Sequence, residues 1–197
     1  MTILPIIKQD ILTLTKLSED FDFTKPPQNP IELATNLVDT MLDAKGLGLA
    51  AIQVNLPYRV FAMRGNVNEK GNPEMFCFFN PRIVAYGGEI VKLEEGCLSF
   101  PGLFVEIKRP RDVRFRFTLP NGQTDTKLFT GMTARVIQHE MDHLDGKLFY
   151  NLANQYKRSL AFKQQAKYLK RVASQAKILK APDLGKSTDS PLMITQI

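Results

Sequence analysis

The sequence predicts an α+β protein. Antiparallel β-sheets pack around a central helix that carries both of the chain's histidines, with an N-terminal helix before them and a C-terminal helical extension after. Three observations carry this. Apolar residues recur at helical spacing after Pro30. Short segments rich in β-branched and aromatic residues fill 58–130. The helical period returns from Met132.

The first helix is announced by PPQNP at 26–30, where Asn29 suits an N-cap and Pro30 the first helical position. Ile31, Ala34, Val38, Met41 and Leu42 form its apolar series, and Gly46 is its stop signal. Strands are expected at YRVFAM (58–63), MFCFFN (75–80), RIVAY (82–86), EIVKLEE (89–95), LFVEIKR (103–109), DVRFRFTL (112–119) and TDTKLFT (124–130). Gly87-Gly88 predicts a hairpin between the third and fourth of these, and Asn121-Gly122 one between the last two. Val113, Phe115 and Phe117 alternate with Arg114, Arg116 and Thr118, so that strand has one buried face. From Met132, the residues Val136, Ile137, Met141 and Leu144 are helical in spacing, and Gly146 closes the helix. A second helix spans roughly 151–180, with Leu152, Tyr156, Leu160, Leu169, Val172, Ala176 and Leu179 as its apolar stripe. Residues 181–197 are polar at first and have no clear period, which predicts a loose tail.

With 197 residues, 44% of them hydrophobic, the chain can bury one domain's core. Only Cys77 and Cys97 are present, which excludes a disulfide framework and predicts a reducing compartment. No apolar run reaches membrane-spanning length, and the N-terminus lacks a basic region with a cleavage site, so a cytoplasmic protein without a membrane partner is expected. The net charge of +6 is uneven: residues 1–150 carry 17 Lys+Arg against 18 Asp+Glu, whereas 151–197 carry 9 against 2. The expected division is therefore a body at 1–150, a basic helix at 151–180 and a tail at 181–197.

Both histidines lie in QHEMDH, at 139 and 143. Residues four apart on a helix share a face with about 6 Å of rise between them, so two imidazoles can meet one metal ion, and Glu140 beside the first can move a proton. Two histidines on an amphipathic helix also arise by chance. A catalytic metal site needs a third protein ligand and an open position. Downstream of His143 there is no His or Glu, and Asp145 follows too closely to complete a triangle. Upstream, EEGCLSFPG offers Cys97 at the end of a strand, and a thiolate is a strong ligand for a divalent metal. A lone cysteine is commonly a small buried hydrophobe. The Gly and Ser-Phe-Pro-Gly around Cys97 point instead to an irregular exposed turn, while Cys77 in MFCFFN fits the core. The stretch GLGLAAIQ (46–53) brings backbone close to a ligand at its glycines, with Gln53 as an amide donor; a tightly packed core segment is the plain alternative.

GLGLAAIQ, EGCLS and QHEMDH, in this order, resemble the G-x-G-x-A-A-x-Q, E-G-C-L-S and Q-H-E-x-D-H segments of the peptide deformylases. The resemblance covers residues 1–150 and accommodates a helical extension. It implies an α+β metallohydrolase that removes the formyl group from N-formylmethionyl peptides and releases formate. By position it implies Cys97, His139 and His143 as metal ligands, Glu140 as general acid and base, and Gln53 with the Leu98 N–H as oxyanion donors. Gly46, Leu47 and Gly48 fall on the substrate-binding wall, with Gly48 offering backbone hydrogen bonds. Leu47, Leu93, Met132, Arg135 and Val136 fall where members line the methionine pocket. Glu95 and Arg109 are implied as an ion pair bracing the cysteine loop. Asp142 either orients the ligands from behind or faces solvent or a neighbouring loop. The implied metal is Fe2+, with Zn2+, Ni2+ or Co2+ able to take the site. The basic helix at 151–180 suggests ribosomal RNA as a partner, against the plain alternative of a solvated lysine-rich helix. A monomer is expected. The rival readings are another H-E-x-x-H metallohydrolase, such as a peptidase, and an RNA-binding module on an inactive hydrolase fold. The start of the chain, KQDILTLTK, departs from the P-D-x-x-L-R pattern that many members carry.

Overall fold

The chain's computed structural model describes residues 2–67 and 73–180. The expected tail at 181–197 lies outside the described residues. In order, the elements are α1 (Ile11–Leu14), α2 (Pro30–Asp43), β1 (Gly48–Ala50), a 3-10 turn (Ala51–Val54), β2 (Val60–Val67), β3 (Pro73–Tyr86), β4 (Ile90–Glu95), β5 (Val105–Pro110), β6 (Asp112–Thr118), β7 (Thr124–Thr130), α3 (Gly131–Leu144), a second 3-10 turn (Phe149–Leu152) and α4 (Gln155–Lys180). All strand pairs are antiparallel. Five strands form one sheet in the order β1-β2-β3-β6-β7, and β4 pairs with β5 in a separate two-stranded sheet.

The large sheet is filled from both faces. On β2, Phe61 and Met63 point one way and Val60 and Ala62 the other, as the two-residue period of a strand requires. The first set joins Phe78, Phe115 and Phe117 against Ala134, Val136, Ile137, Met141 and Leu144 of α3. The second joins Cys77 and Phe79 against Leu33, Leu37 and Met41 of α2. A third cluster, centred on Phe100, Leu103, Val105, Ile107, Phe149 and Tyr150, ties the small sheet to the turn before α4 and includes Cys97.

α2 starts where the sequence places it: the Asn29 side chain accepts hydrogen bonds from the Ile31 and Glu32 N–H groups. Its buried face is Leu33, Ala34, Leu37, Thr40 and Met41, so Ile31 and Leu42 stay exposed and the apolar series is rotated from the expected one. The left-handed residue after the helix is Lys45 rather than Gly46; Gly46 is instead packed under the Leu98 side chain.

Two expected strands, 75–80 and 82–86, are one bent strand, β3. Asn80 takes a left-handed φ of +48° at the bend, and its side chain exchanges two hydrogen bonds with the Phe21 backbone. The hairpin at Gly87-Gly88 does not form. β3 pairs with β6 and β4 pairs with β5, so these glycines carry the chain from one sheet to the other. Two β segments joined by glycines look alike locally whether or not they pair; burial of distant partners decides. The hairpin at Asn121-Gly122 does form.

The helical extension is confirmed, but most of its apolar stripe faces outward: Leu152, Tyr156, Leu160 and Val172 are exposed, and Ala161 and Gln165 make the buried contacts. Among the described residues no helix is long and apolar enough to cross a membrane.

The end of α3 is fixed tightly. Arg59 donates to the Asp145 carboxylate at 2.9 Å and to the Leu144 carbonyl, placing a cation at the negative end of the helix. Gly146 has φ +66°, and a Cβ there would overlap the Thr15 carbonyl. Gly146→Ala is therefore expected to destabilise the fold by more than about 1 kcal/mol, through both backbone strain and the clash, read as a lowered urea midpoint with an unchanged slope.

Candidate metal and active site

α3 carries His139 and His143 one turn apart, with ring centroids separated by 5.2 Å. The turn that follows β4 delivers Cys97, whose Sγ lies 3.2 Å from His143 Nε2. One ligand atom from each of the three residues lies within 4.8 Å of the others, and all three are buried. The sequence expectation of an exposed turn at Cys97 is thus corrected: the turn is irregular but sealed by Phe100, Leu103 and Phe149. Cys77 lies in the core as expected, and burial pushes its thiol far above the ordinary range.

Behind the ligands lies a fully buried ionic network. The Glu95 carboxylate accepts two hydrogen bonds from Arg109, at 2.7 and 2.9 Å, and one from Arg135 at 2.9 Å; its Oε2 meets His139 Nδ1 at 3.0 Å. Burial alone would raise the pKa of Glu95. The hydrogen bonds and charges of Arg109 and His139 outweigh it and hold the group well below the usual carboxylate range. Arg109 also donates to Asp142 at 2.7 Å. Asp142 is therefore part-buried and paired with Arg109 behind the His139 and His143 face, rather than free in solvent.

This network orients His139 with Nδ1 toward Glu95, which leaves Nε2 buried without a partner; His143 Nδ1 is likewise unpaired. Burial disfavours charge on His139, yet the Cys97 sulfur and Glu95 carboxylate raise its pKa to about 10. Burial and the neighbouring charges of His139 and Arg109 hold His143 well below its ordinary value. A divalent cation fits the point where one sulfur and two imidazoles converge, and a thiolate with two imidazoles is a donor set that leaves a coordination position open.

Glu140 faces the site from α3. Its carboxyl rests on Gly48, where any Cβ would overlap it, so the glycine of β1 exists to admit this side chain. Burial pushes Glu140 up to about 7, against the opposing pull of His139 and the Ala50 N–H. Gln53 follows β1. Its Oε1 accepts from the Ala50 N–H at 2.8 Å, which fixes the amide, and its Nε2 points to Ser99 Oγ at 3.1 Å and Cys97 Sγ at 3.5 Å.

The expected pocket residues divide. Leu47 and Leu93 are half-buried, and Met132 is 51% exposed at the start of α3. Val136 is buried in the α3 core cluster. Arg135 departs from its expected place: its guanidinium is buried on Glu95 and on the Ile107 and Val91 carbonyls, so it belongs to the network behind His139. A guanidinium in an apolar wall would be unpaired; Glu95 supplies the partner. Sequence reasoning missed Ser99, the acceptor for Gln53, and Gln138, which donates to the Pro110 carbonyl. It also missed the N-terminal segment, where the Ile7 N–H donates to the Gln53 carbonyl and the Gln9 N–H to the Ser99 carbonyl. Ser99 and Gln138 sit inside the quoted motifs and were within reach; nothing in IKQDILTLTK (7–16) signals the other two.

The family model for polypeptide deformylase matches residues 3–159. The chain belongs to the polypeptide deformylase family. A peptide deformylase of Bradyrhizobium diazoefficiens is 41% identical over 143 residues, covering 71% of this chain and 82% of the relative. The structure superposes on a peptide deformylase from Legionella pneumophila with a TM-score of 0.76 at 30% identity, covering 88% of this chain and 99% of the other. It superposes on the Met-Ala-Ser-bound class I type b peptide deformylase of Acinetobacter baumannii with a TM-score of 0.69 at 28% identity, covering 77% and 98%. As a deformylase the chain removes the N-formyl group from formylmethionine at the start of nascent polypeptides and releases formate, and a divalent metal ion is its cofactor.

Glu95→Gln keeps the shape of the network but leaves the buried Arg135 without an anion and Arg109 with Asp142 alone. It should cost about 3–5 kcal/mol of stability and about 10–100-fold in metal affinity, measured by thermal unfolding and by competition with a chelator.

Proposed function

We propose that the deformylase reaction is carried by Cys97, His139 and His143 as metal ligands, Glu140 as the proton-transferring group, and Gln53 with the Leu98 N–H as oxyanion donors. The observation that supports this most is the convergence of the three ligand atoms within 4.8 Å beside the Glu140 carboxylate. A divalent ion there supplies Lewis acidity and lowers the pKa of water toward neutrality. Glu140 takes the proton of the attacking water and returns it to the leaving amine. A carboxyl poised near 7 suits both halves of that exchange. The Gln53 amide, locked by Ala50, meets the developing oxyanion together with the Leu98 N–H; such a donor typically contributes about 2.7–4 kcal/mol.

β1 is an edge strand of the large sheet, hydrogen-bonded to β2 on one side only. The backbone around Gly46, Leu47 and Gly48 therefore offers an extended peptide a strand to pair with. Leu47, Leu93, Met132 and Val136 would line the methionine side chain. The tripeptide held by the Acinetobacter baumannii enzyme makes formyl-Met-Ala-Ser the substrate of choice. Residues 1–150 form the catalytic unit in this reading. A thiolate ligand beside two imidazoles is compatible with Fe2+ as the native metal, with Zn2+, Ni2+ and Co2+ as substitutes. The protein is a cytoplasmic monomer, as its free cysteines and substrate imply.

Formate should be released from formyl-Met-Ala-Ser, and unformylated Met-Ala-Ser should stay intact; cleavage of the second peptide alone would refute this assignment. Glu140→Gln should lower kcat by about 10²–10⁴-fold with the metal content unchanged, and anaerobically purified protein should contain iron by elemental analysis.

The outer face of α4 carries Lys163, Lys167, Lys170 and Arg171, all exposed, and the helix has no acidic residue. This face would dock on ribosomal RNA. Changing these four residues to glutamine should abolish salt-sensitive co-sedimentation with ribosomes; equal retention of both proteins speaks for a solvated helix.

A further inference from the structure

The inner face of α4 contacts the turn that carries Cys97. That turn runs from Cys97 to Leu103 and is closed by two backbone hydrogen bonds, Phe100 N–H to the Cys97 carbonyl and Leu103 N–H to the Phe100 carbonyl. One end is held by β4 and the Glu95 network. The other end runs into β5, which pairs with β4 from Val105 opposite Glu95; between these anchors α4 grips Pro101 and Gly102. Gln165, itself buried, donates from Nε2 to the Pro101 carbonyl at 3.1 Å. Tyr168 lays its ring on Gly102, which has φ +72° and no room for a Cβ beneath that ring. Ala161 is buried in the cluster that contains Cys97 and Phe100. The ring of Phe162 packs edge-on against Tyr150, Tyr150 against Phe100, and Phe149 lies 5.2 Å from the His139 ring. Lys157 is ion-paired with Glu106 on β5. These contacts join the helix to both sides of the metal site.

We propose that Gln165 and Tyr168 are positioning residues of the deformylase: by clamping Pro101 and Gly102 they fix the Cys97 sulfur and the Leu98 N–H against α3. The helix then serves the active site from its inner face, independently of anything its basic outer face binds. The inference rests on Cys97 being a metal ligand. The physical ground is that a seven-residue turn held at its ends by the β4–β5 pairing, and at Ser99 by Gln9 and Gln53, still has freedom at Pro101 and Gly102 that a nearby metal ligand and oxyanion donor cannot tolerate, since both act through fixed geometry. A glycine under an aromatic ring and a buried amide on a carbonyl remove that freedom without touching the ligands.

The test compares the full chain with Gln165→Ala/Tyr168→Ala, with Tyr168→Phe, and with Gln164→Ala as an exposed control on the same helix. Each protein is loaded with cobalt(II), which gives a thiolate-to-cobalt absorption band if Cys97 is bound, and is then challenged with a chelator. The double variant should lose metal about tenfold faster, with a shifted or weakened band. Its kcat should fall in proportion while KM for formyl-Met-Ala-Ser holds. Tyr168→Phe keeps the ring and should behave as wild type, as should Gln164→Ala. A double variant with the wild-type band, metal-loss rate and kcat overturns the clamp. If it fails to fold, Gln165→Ala alone carries the same comparison. Absence of the thiolate band from the wild type would overturn the Cys97 assignment, and the clamp with it, which separates that failure from failure of the clamp alone.

Discussion

The buried carboxylate of Glu95 is the point on which the site depends. It ends β4 two residues before Cys97, and it holds Arg109 from β5 and Arg135 and His139 from α3. One side chain therefore joins the small sheet to the central helix. Taking a carboxylate out of water costs several kcal/mol, and two guanidinium groups with full hydrogen bonding are what offset it. The same contacts set the His139 tautomer and aim its free nitrogen at Cys97. Stability of the interface and geometry of the ligand set are thus one interaction.

α3 follows from this constraint. Arg135, Gln138, His139, Glu140 and His143 are all buried, on a helix whose Val136, Ile137 and Met141 also pack inside. Such a helix is stable only because each polar group finds a defined partner: Glu95 for Arg135 and His139, Pro110 for Gln138, Gly48 as the space for Glu140. His139 Nε2, His143 Nδ1 and Glu140 Oε2 are buried without a partner, while His143 meets the Cys97 sulfur through Nε2.

The other wall is built from short segments that depend on each other. β1, the Gln53 turn and the Cys97 turn contain few residues of regular structure, and they are held by cross-contacts rather than by length. Ala50 locks Gln53, Ser99 accepts from it, the N-terminal strap ties to both loops at Ile7 and Gln9, and α4 closes on Pro101 and Gly102. Each contact comes from a different part of the chain. The geometry of the site is therefore a property of the whole fold, including elements far from the motifs in sequence.

By itself the sequence determined most of the elements and the residues from which the chemistry is proposed. Local rules suffice for the Asn29 cap, the Asn121-Gly122 hairpin, the alternation of β6 and the two histidines on one helix, because each depends on residues within a few positions. The proposal of Cys97 as a ligand follows from elimination and from the joint match of three motifs. Tertiary structure alone decided the pairing of β3 with β6 instead of β4, the bend at Asn80, the burial of the Cys97 turn, and the turning of Arg135 from the pocket to Glu95. It also decided that Tyr156 and Leu160 of α4 face outward while Gln165 is buried and the partly exposed Tyr168 packs on Gly102. In each of these cases the local pattern is compatible with two outcomes. The choice is made by a partner distant in the chain, which removes a charge or an apolar surface from water.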